Sequence, residues 1–217
     1  MNKKERALFV EKKLNELFPS PKAPLDHRNA FTFLIAVLLS AQTTDKRVNI
    51  VTKELFKKAS SPEEMLALGE KKVYEHIKTC GLAPKKAKAI ISTSKIIVEK
   101  HNGKVPKTYE ELEILPGVGH KTASVVMSQG FGNPAFPVDT HIHRLAQRWG
   151  LTNGKNVIQT EKDLKRLFPK KNWNKLHLQI IYYGREYCKA RSCYGLTCKI
   201  CTTCYPNRKK PFITKKP

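Results

Sequence analysis

The segment from Leu115 to Lys121 places a lysine beside a turn that can hold a phosphate. It contains Pro116, Gly117 and Gly119. Proline and glycine continue a helix poorly, so we predict that one helix ends at Leu115 and a tight turn follows. Glycines leave backbone N–H groups open to an approaching phosphate. Lys121 would lie in the first turn of a second helix, where the helix dipole disfavours a protonated ammonium. On its own, this segment fits either a turn that only binds the DNA backbone, without catalysis, or a turn that carries a lysine nucleophile.

A second candidate group, Asp139, lies in the string VDTHIHR. Pro137 precedes it, and apolar residues at helical spacing follow it, namely Ile142, Leu145, Ala146 and Trp149. This pattern predicts a helix with Asp139 as its N-cap. A capping carboxylate is held rigidly and stays ionised, which also suits a group that stabilises a developing cation.

The charge of the chain predicts a polyanionic partner. Among 217 residues there are 41 Lys and Arg against 18 Asp and Glu, a net charge of +23. Nucleic acid is the commonest partner of so basic a protein, although charge alone does not separate DNA from RNA, the ribosome or an anionic membrane. The most apolar stretch, residues 30–41, is too short to span a bilayer, and no cleavage site follows an apolar run. We therefore expect a soluble intracellular protein.

Helix signals recur along the chain, and convincing strand alternation is absent. Ser61-Pro62-Glu63-Glu64 is a capping box with proline at the first helical position. Thr108 begins a similar capping pattern just before Leu115. Apolar stripes at helical spacing include Ala7, Val10 and Leu14; Val48, Val51 and Leu55; Ile90, Ile91 and Ile97; and Trp173, Leu176, Ile180 and Tyr183. The patterns predict an all-α protein of about ten helices joined by short loops.

Five of the six cysteines lie between Cys188 and Cys204. In a reducing compartment such crowding favours a metal site over disulfides. Cys80 stands alone and is expected to be an ordinary buried thiol.

Several strings together resemble one known family. LPGVGHKTA and VDTHIHR, with LSAQTTD near the start, HNGKVP before the turn and Gly184-Arg185 before the cysteines, occur in the order found in the endonuclease III family. These are helix-hairpin-helix DNA glycosylases with associated lyase activity, and the resemblance runs over essentially the whole chain. It implies a two-lobed all-α fold, with a six-helix barrel containing the hairpin at 22–132. Residues 1–21 and 133–217 would form a discontinuous iron–sulfur cluster domain, with the active-site cleft between the lobes. The glycine and proline cluster at 130–134 supports a break independently.

The resemblance implies a base excision repair enzyme acting on duplex DNA. It would remove oxidised pyrimidines as a bifunctional N-glycosylase and cleave the abasic site by β-elimination through a lysine Schiff base. The alternatives are a monofunctional mismatch (adenine) glycosylase and a non-catalytic helix-hairpin-helix binding module. Lys121 argues against both. We expect a cytoplasmic, nucleoid-associated monomer whose partner is DNA with damaged pyrimidines or abasic sites, with no membrane partner.

The resemblance also implies roles for single residues. Lys121 would be the nucleophile, made neutral by burial, the helix dipole and nearby basic groups. Asp139 would stabilise the sugar cation and help to deprotonate the lysine. Gln42 would fill the space of the everted nucleotide, and Leu82 would wedge into the base stack, core packing being its alternative role.

Four further residues are candidate DNA-binding residues by the same resemblance. Gly117 and Gly119 would hold a phosphate. His141 and Arg144 would support the geometry or contact a phosphate, and an independent acid–base role for His141 is disfavoured.

The cysteine spacing departs from the family pattern. The family usually shows C-x6-C-x2-C-x5-C, and here five cysteines occupy the same overall span. The preferred ligands of a [4Fe–4S] cluster are Cys188, Cys198, Cys201 and Cys204, with Cys193 as an alternative ligand. Zinc is the runner-up metal, since four thiolates also satisfy tetrahedral Zn²⁺. The third possibility is a degenerate site that binds nothing. A bound metal would have a structural, DNA-facing role.

Overall fold

A computed structural model describes residues 1–216. The described residues form helices and no strand, which confirms the all-α class. A π-helical turn at Val126–Gly130 and a 3-10 turn at Lys170–Asn172 accompany the α-helices. The α-helices are α1 (Lys3–Leu17), α2 (Ala30–Ser40), α3 (Asp45–Lys58), α4 (Pro62–Leu68), α5 (Glu70–Ile77), α6 (Ala83–His101), α7 (Tyr109–Glu113), α8 (His120–Val125), α9 (Thr140–Arg148), α10 (Val157–Leu167), α11 (Trp173–Glu186) and α12 (Lys199–Cys204).

The helices fall into two compact units. One is continuous, Ala23–Asn133, and the other combines Met1–Lys22 with Pro134–Pro217. The family resemblance predicts limits at residues 22 and 132. The roles assigned to the two units stay predictions.

The continuous unit is built around α2. Residues 31–39 are all buried, so this helix is apolar on every side and other helices must surround it. Asn29 caps its first turn by accepting the Thr32 amide at 2.8 Å. The capping box predicted at Ser61 is present at the start of α4. The core of this unit thus forms around one fully enclosed helix.

Helices α7 and α8 flank the turn that contains Gly117 and Gly119. Thr108 caps α7 by accepting the Glu111 amide, as predicted. The helix ends at Glu113, two residues before the predicted end at Leu115, because the chain already turns at Ile114. Helix α8 is short and continues at Val126 into the π-helical turn.

The discontinuous unit has its own core, formed by α1, α9, α11 and the cysteine segment. Trp149 and Tyr183 are fully buried there, with ring centroids 5.7 Å apart. The basic C-terminal segment packs onto this unit. The Arg208 guanidinium stacks between Tyr205 and Phe212 at 4.2 and 4.8 Å from their ring centroids. Cation–π stacking therefore ties this basic segment to the unit.

Among residues 1–216, no helix is long and apolar enough to cross a membrane.

Candidate functional site

The hairpin turn uses its two glycines differently. Gly117 has φ of +81°, and a Cβ there would lie 3.2 Å from Leu38 Cδ1 and 3.3 Å from Ala89 Cβ. The hydroxyl of Thr93 donates to the Pro116 carbonyl at 3.0 Å and fixes the turn to α6. Gly119 has nothing within 4 Å of an added Cβ. Gly117 is therefore required by the fold, whereas Gly119 leaves open space beside the backbone.

Lys121 occupies the first turn of α8, as the sequence predicted. Gly119 is the N-cap and offers no side chain to the first amides of the helix. The Lys121 side chain is exposed, which corrects the expectation that burial surrounds it. Within residues 1–216 its ammonium forms no ion pair. The amine is thus free to meet an external group in the isolated protein.

Asp139 is the N-cap of α9, as its sequence context predicted. Its Oδ1 accepts the Ile142 amide at 2.8 Å, and the residue is half-buried. His141 follows on the same helical turn. Burial lowers the pKa of His141, although the Asp139 carboxylate opposes this shift. Asp139 is therefore fixed in direction by backbone geometry, while the imidazole next to it favours its neutral form.

Arg144 turns toward the protein. Its Nη2 donates to the carbonyls of Gly184 at 3.1 Å and Cys188 at 3.0 Å. The same nitrogen lies 3.3 Å from His141 Nδ1. These bonds link α9 to the end of α11 and to the first cysteine, so the geometry fits the supporting role better than a phosphate contact.

Gln42 and Leu82 share an unusual backbone conformation. Their φ values are +54° and +60°, in the left-handed region that residues other than glycine rarely adopt. Gln42 is exposed, and Leu82 keeps 48% of its surface exposed. The exposure of Leu82 argues against the alternative of core packing. Exposed residues with a strained backbone of this kind are common where a protein meets a ligand.

A buried lysine, Lys86, connects the segments that carry these two residues. It is 5% exposed, and its Nζ donates to the carbonyls of Leu39 at 2.8 Å and Ala41 at 2.6 Å. Burial lowers the pKa of Lys86. Sequence reasoning did not single out this residue, because buried lysines are rare and its acceptors lie more than forty positions away. The adjacent Lys85 is exposed, and no local pattern separates the two.

The cysteines form a buried group of thiols without disulfides. The sulfur atoms of four of them all lie within 4.8 Å of one another. The members are Cys188, Cys193, Cys198 and Cys201. The preferred ligand set differs by one thiol, because Cys193 joins the group and Cys204 does not. Left-handed backbone at Tyr194 and Gly195, with φ of +47° and +81°, bends the chain so that Cys193 returns to Cys198.

The thiol group cannot ionise freely without a cation. Hydrogen bonds from the Cys188 and Cys201 thiols lower the pKa of Cys198. The hydrogen bond between Cys188 and Cys198 in turn raises the pKa of Cys188. One thiolate is thus stabilised at the expense of its neighbours, which is the condition a multivalent metal relieves. Burial raises the pKa of Cys204 to about 11, and this thiol stays outside the group.

Arg148 supports the loop that carries the thiols. This side chain is 2% exposed, and its Nη1 donates to Cys188 Sγ at 3.2 Å and to the Lys189 carbonyl at 2.9 Å. Its Nη2 donates to the Ala190 carbonyl at 2.9 Å. A buried cation that donates to the Cys188 sulfur orients it and would offset the charge of a thiolate, as the outer-shell groups of metal sites do.

Comparisons with known proteins agree on one family. A sequence profile of the HhH-GPD superfamily of base excision DNA repair proteins matches residues 35–170. Endonuclease III of Bacillus subtilis strain 168 is 43% identical over 203 residues, covering 93% of this chain and 93% of the relative. Endonuclease III of Escherichia coli K12 is 46% identical over 191 residues, covering 88% and 90%. A solved structure of a trapped endonuclease III–DNA covalent intermediate, an estranged-adenine complex, superposes with a TM-score of 0.87 at 40% identity, over 92% of this chain and 94% of that chain.

Proposed function

The chain belongs to the endonuclease III family of HhH-GPD base excision repair proteins, and on that premise we propose that Lys121 is its covalent nucleophile. The protein is a bifunctional DNA glycosylase and abasic-site lyase that binds DNA. One observation carries the proposal, namely an exposed amine in the first turn of the helix that follows the glycine turn. The trapped covalent complex of the endonuclease III relative supports it. Oxidised pyrimidines in duplex DNA and existing abasic sites are the proposed substrates.

The covalent step requires an unprotonated amine at the sugar. Lys121 Nζ attacks the anomeric carbon, the C–N bond to the damaged base breaks, and the base leaves with the electron pair and takes up a proton. Ring opening gives an imine, and loss of a proton from the neighbouring carbon expels the 3′ phosphate by β-elimination. Because Lys121 is exposed in the isolated protein, water must be displaced from it when an everted nucleotide docks.

Asp139 is proposed to stabilise the positive charge that develops on the sugar as the base leaves. Its bond to the Ile142 amide fixes the carboxylate before the substrate arrives, so little reorganisation accompanies the reaction. The carboxylate is also a candidate acceptor for the lysine proton. Arg144 acts as a positioning residue that holds α9 to the end of α11. His141, largely buried beside it, has the same supporting role.

The remaining DNA contacts divide between holding the backbone and opening the stack. Gly119 gives a phosphate access to the amides of the hairpin, while Gly117 shapes the turn. Leu82 enters the base stack, and Gln42 hydrogen-bonds the base left without its partner.

The thiol group is a metal–sulfur site in character, and a [4Fe–4S] cluster is its proposed occupant. Cys188, Cys193, Cys198 and Cys201 supply the four thiolates such a cluster requires. The cluster would cross-link the segment and present its basic residues to DNA, without a part in the chemistry. A single zinc ion is the second candidate. Two thiolates on one tetrahedral Zn²⁺ stand about 3.8 Å apart, and the Cys188 and Cys201 sulfurs are separated by 3.8 Å.

A trapping experiment tests the proposed nucleophile. Borohydride should reduce the imine and link the protein irreversibly to a duplex containing thymine glycol or an abasic site. Lys121→Gln should abolish the cross-link while DNA affinity is retained. Lys95→Gln, the same change at an exposed lysine of α6, should leave trapping intact. Trapping by Lys121→Gln at the wild-type level would move the nucleophile to another residue.

We further propose that the protein acts as a cytoplasmic, nucleoid-associated monomer. Its net charge of +23 supports association with DNA. Sedimentation of the purified protein with and without duplex DNA tests this state, and a stable dimer would contradict it.

A further inference from the structure

Two segments of the continuous unit approach each other closely where Gln42 and Leu82 lie. A Cβ at Gly81 would stand only 2.8 Å from the Gln42 carbonyl oxygen, so any residue other than glycine would push the segments apart. The Gly81 amide donates to Thr43 Oγ1 at 3.2 Å. The segment after α2 and the segment before α6 are therefore in direct contact, although they lie 38 positions apart.

Lys86 joins both segments from within. Its backbone amide donates to the Leu82 carbonyl at 3.0 Å. Its ammonium donates to the carbonyls of Leu39 and Ala41, which precede Gln42, and to Oγ1 of Thr43, which follows it, at 2.9 Å. All three protons of the ammonium are thereby used. In the described part of the chain no carboxylate pairs with it, so its partners are the backbone and one hydroxyl.

The Thr43 hydroxyl is the atom that the two segments share. It accepts from the Lys86 ammonium at 2.9 Å and from the Gly81 amide at 3.2 Å. Both Gln42 and Leu82 adopt the left-handed conformation, which persists only where the surroundings impose it. The bonds of Lys86 and Thr43 supply that constraint, because they fix the residue on each side of Gln42 and the carbonyl of Leu82.

We infer that Lys86 is a positioning residue that locks the Gln42 and Leu82 segments into one rigid element for everting a nucleotide from duplex DNA. This inference rests on the proposed function, in which those side chains open the base stack. It differs from a purely stabilising role, in which Lys86 would only bond the carbonyls at the C-terminal end of α2. Rigidity of this element matters only when a base must leave a duplex, and it has no part in the reaction of Lys121 with an unpaired sugar.

The test compares two reactions of each variant. Single-turnover excision of thymine glycol from a duplex requires eversion, and 2-aminopurine fluorescence beside the lesion follows that step. Borohydride trapping on a single-stranded oligonucleotide with one abasic site does not require it. Lys86→Met should slow duplex excision and the fluorescence step by about tenfold or more, while single-strand trapping stays within about twofold. Lys95→Met is the control, since it removes an exposed lysine of the same helix.

A second pair of variants covers the case in which Lys86→Met fails to fold. Thr43→Val removes the shared acceptor at nearly constant volume and should slow duplex excision about threefold, whereas Thr43→Ser keeps the hydroxyl and should match the wild type. Unchanged duplex excision in Lys86→Met or Thr43→Val, or an equal loss in both reactions, would overturn the inference. Failure of the wild-type protein to be trapped on a duplex containing an abasic site would instead refute the proposed function.

Discussion

The two glycines of the hairpin should respond in opposite ways to the same substitution. Gly117→Ala forces alanine into a left-handed conformation with φ of +81°, where a Cβ meets Leu38 and Ala89 at 3.2 and 3.3 Å. Left-handed backbone costs a residue with a side chain about 1–2 kcal/mol, and the two close contacts add to it. We expect a total loss of about 2 kcal/mol in unfolding free energy.

Gly119→Ala should leave stability nearly unchanged, because its φ of −92° suits any residue and an added Cβ meets nothing within 4 Å. That methyl group would instead stand in the space proposed for a DNA phosphate. We therefore expect weaker binding of duplex DNA by Gly119→Ala, by about tenfold, or about 1.4 kcal/mol.

Thermal denaturation and fluorescence anisotropy with a labelled duplex separate the two effects. For a chain of this size about 1 kcal/mol corresponds to about 2–4 °C, so Gly117→Ala should melt roughly 4–8 °C below the wild type. Gly119→Ala should melt within about 1 °C of the wild type while binding less DNA. Equal melting losses in both variants, or undiminished DNA binding by a fully folded Gly119→Ala, would refute the division of roles.

Three further outcomes follow from the structure. Cys193→Ser should lose bound metal and any absorbance near 400 nm, roughly where thiolate-bound iron–sulfur absorbs, whereas Cys204→Ser should retain both. Metal analysis that shows the reverse would restore Cys204 to the ligand set. Leu82→Asn should leave the melting temperature unchanged or slightly raised, since asparagine tolerates the left-handed conformation, yet it should slow duplex excision. By contrast, Leu39→Ala at a fully buried site should lower the unfolding free energy by about 2–5 kcal/mol. Burial lowers the pKa of His143. The contribution of neutral His143 to stability should therefore be fully present above about pH 6.5 and fall as the pH drops toward the lowered pKa, because the unfolded chain takes up the proton first. His143→Gln should flatten that pH dependence in urea titrations at pH 7 and pH 5.

The elements that local sequence fixes were predictable. The caps at Ser61, Thr108 and Asp139 are present because each hydroxyl or carboxylate bonds an amide three residues away. Such bonds depend only on the nearest turn, so spacing is sufficient to find them. The limit of α7 was wrong by two residues, which is the usual uncertainty where the last turn tightens.

The features that sequence did not predict depend on contacts distant in the chain. Lys86 carries no local signal, since its acceptors come from the end of α2. Cys193, named from the sequence only as an alternative ligand, joins the thiol group because two left-handed residues reverse the chain there. The expected burial of Lys121 was wrong, because its exposure likewise depends on how α8 packs.

Backbone strain in the described residues is concentrated near the proposed functions. The residues other than glycine with positive φ are Gln42, Leu82, Asn102 and Tyr194. Asn102 ends α6 as a left-handed C-cap, an ordinary structural use. The other three lie in the proposed eversion element and in the loop that returns Cys193 to the thiol group. At about 1–2 kcal/mol each, these conformations persist because buried cations hold the surrounding chain. Lys86 bonds the Ala41 carbonyl beside Gln42, whereas Arg148 bonds the carbonyls of Lys189 and Ala190 earlier in the cysteine loop and lies 5.9 Å from the Tyr194 ring centroid. Both cations lack a carboxylate partner in the described part of the chain, so each one holds backbone in place and leaves the exposed surface basic.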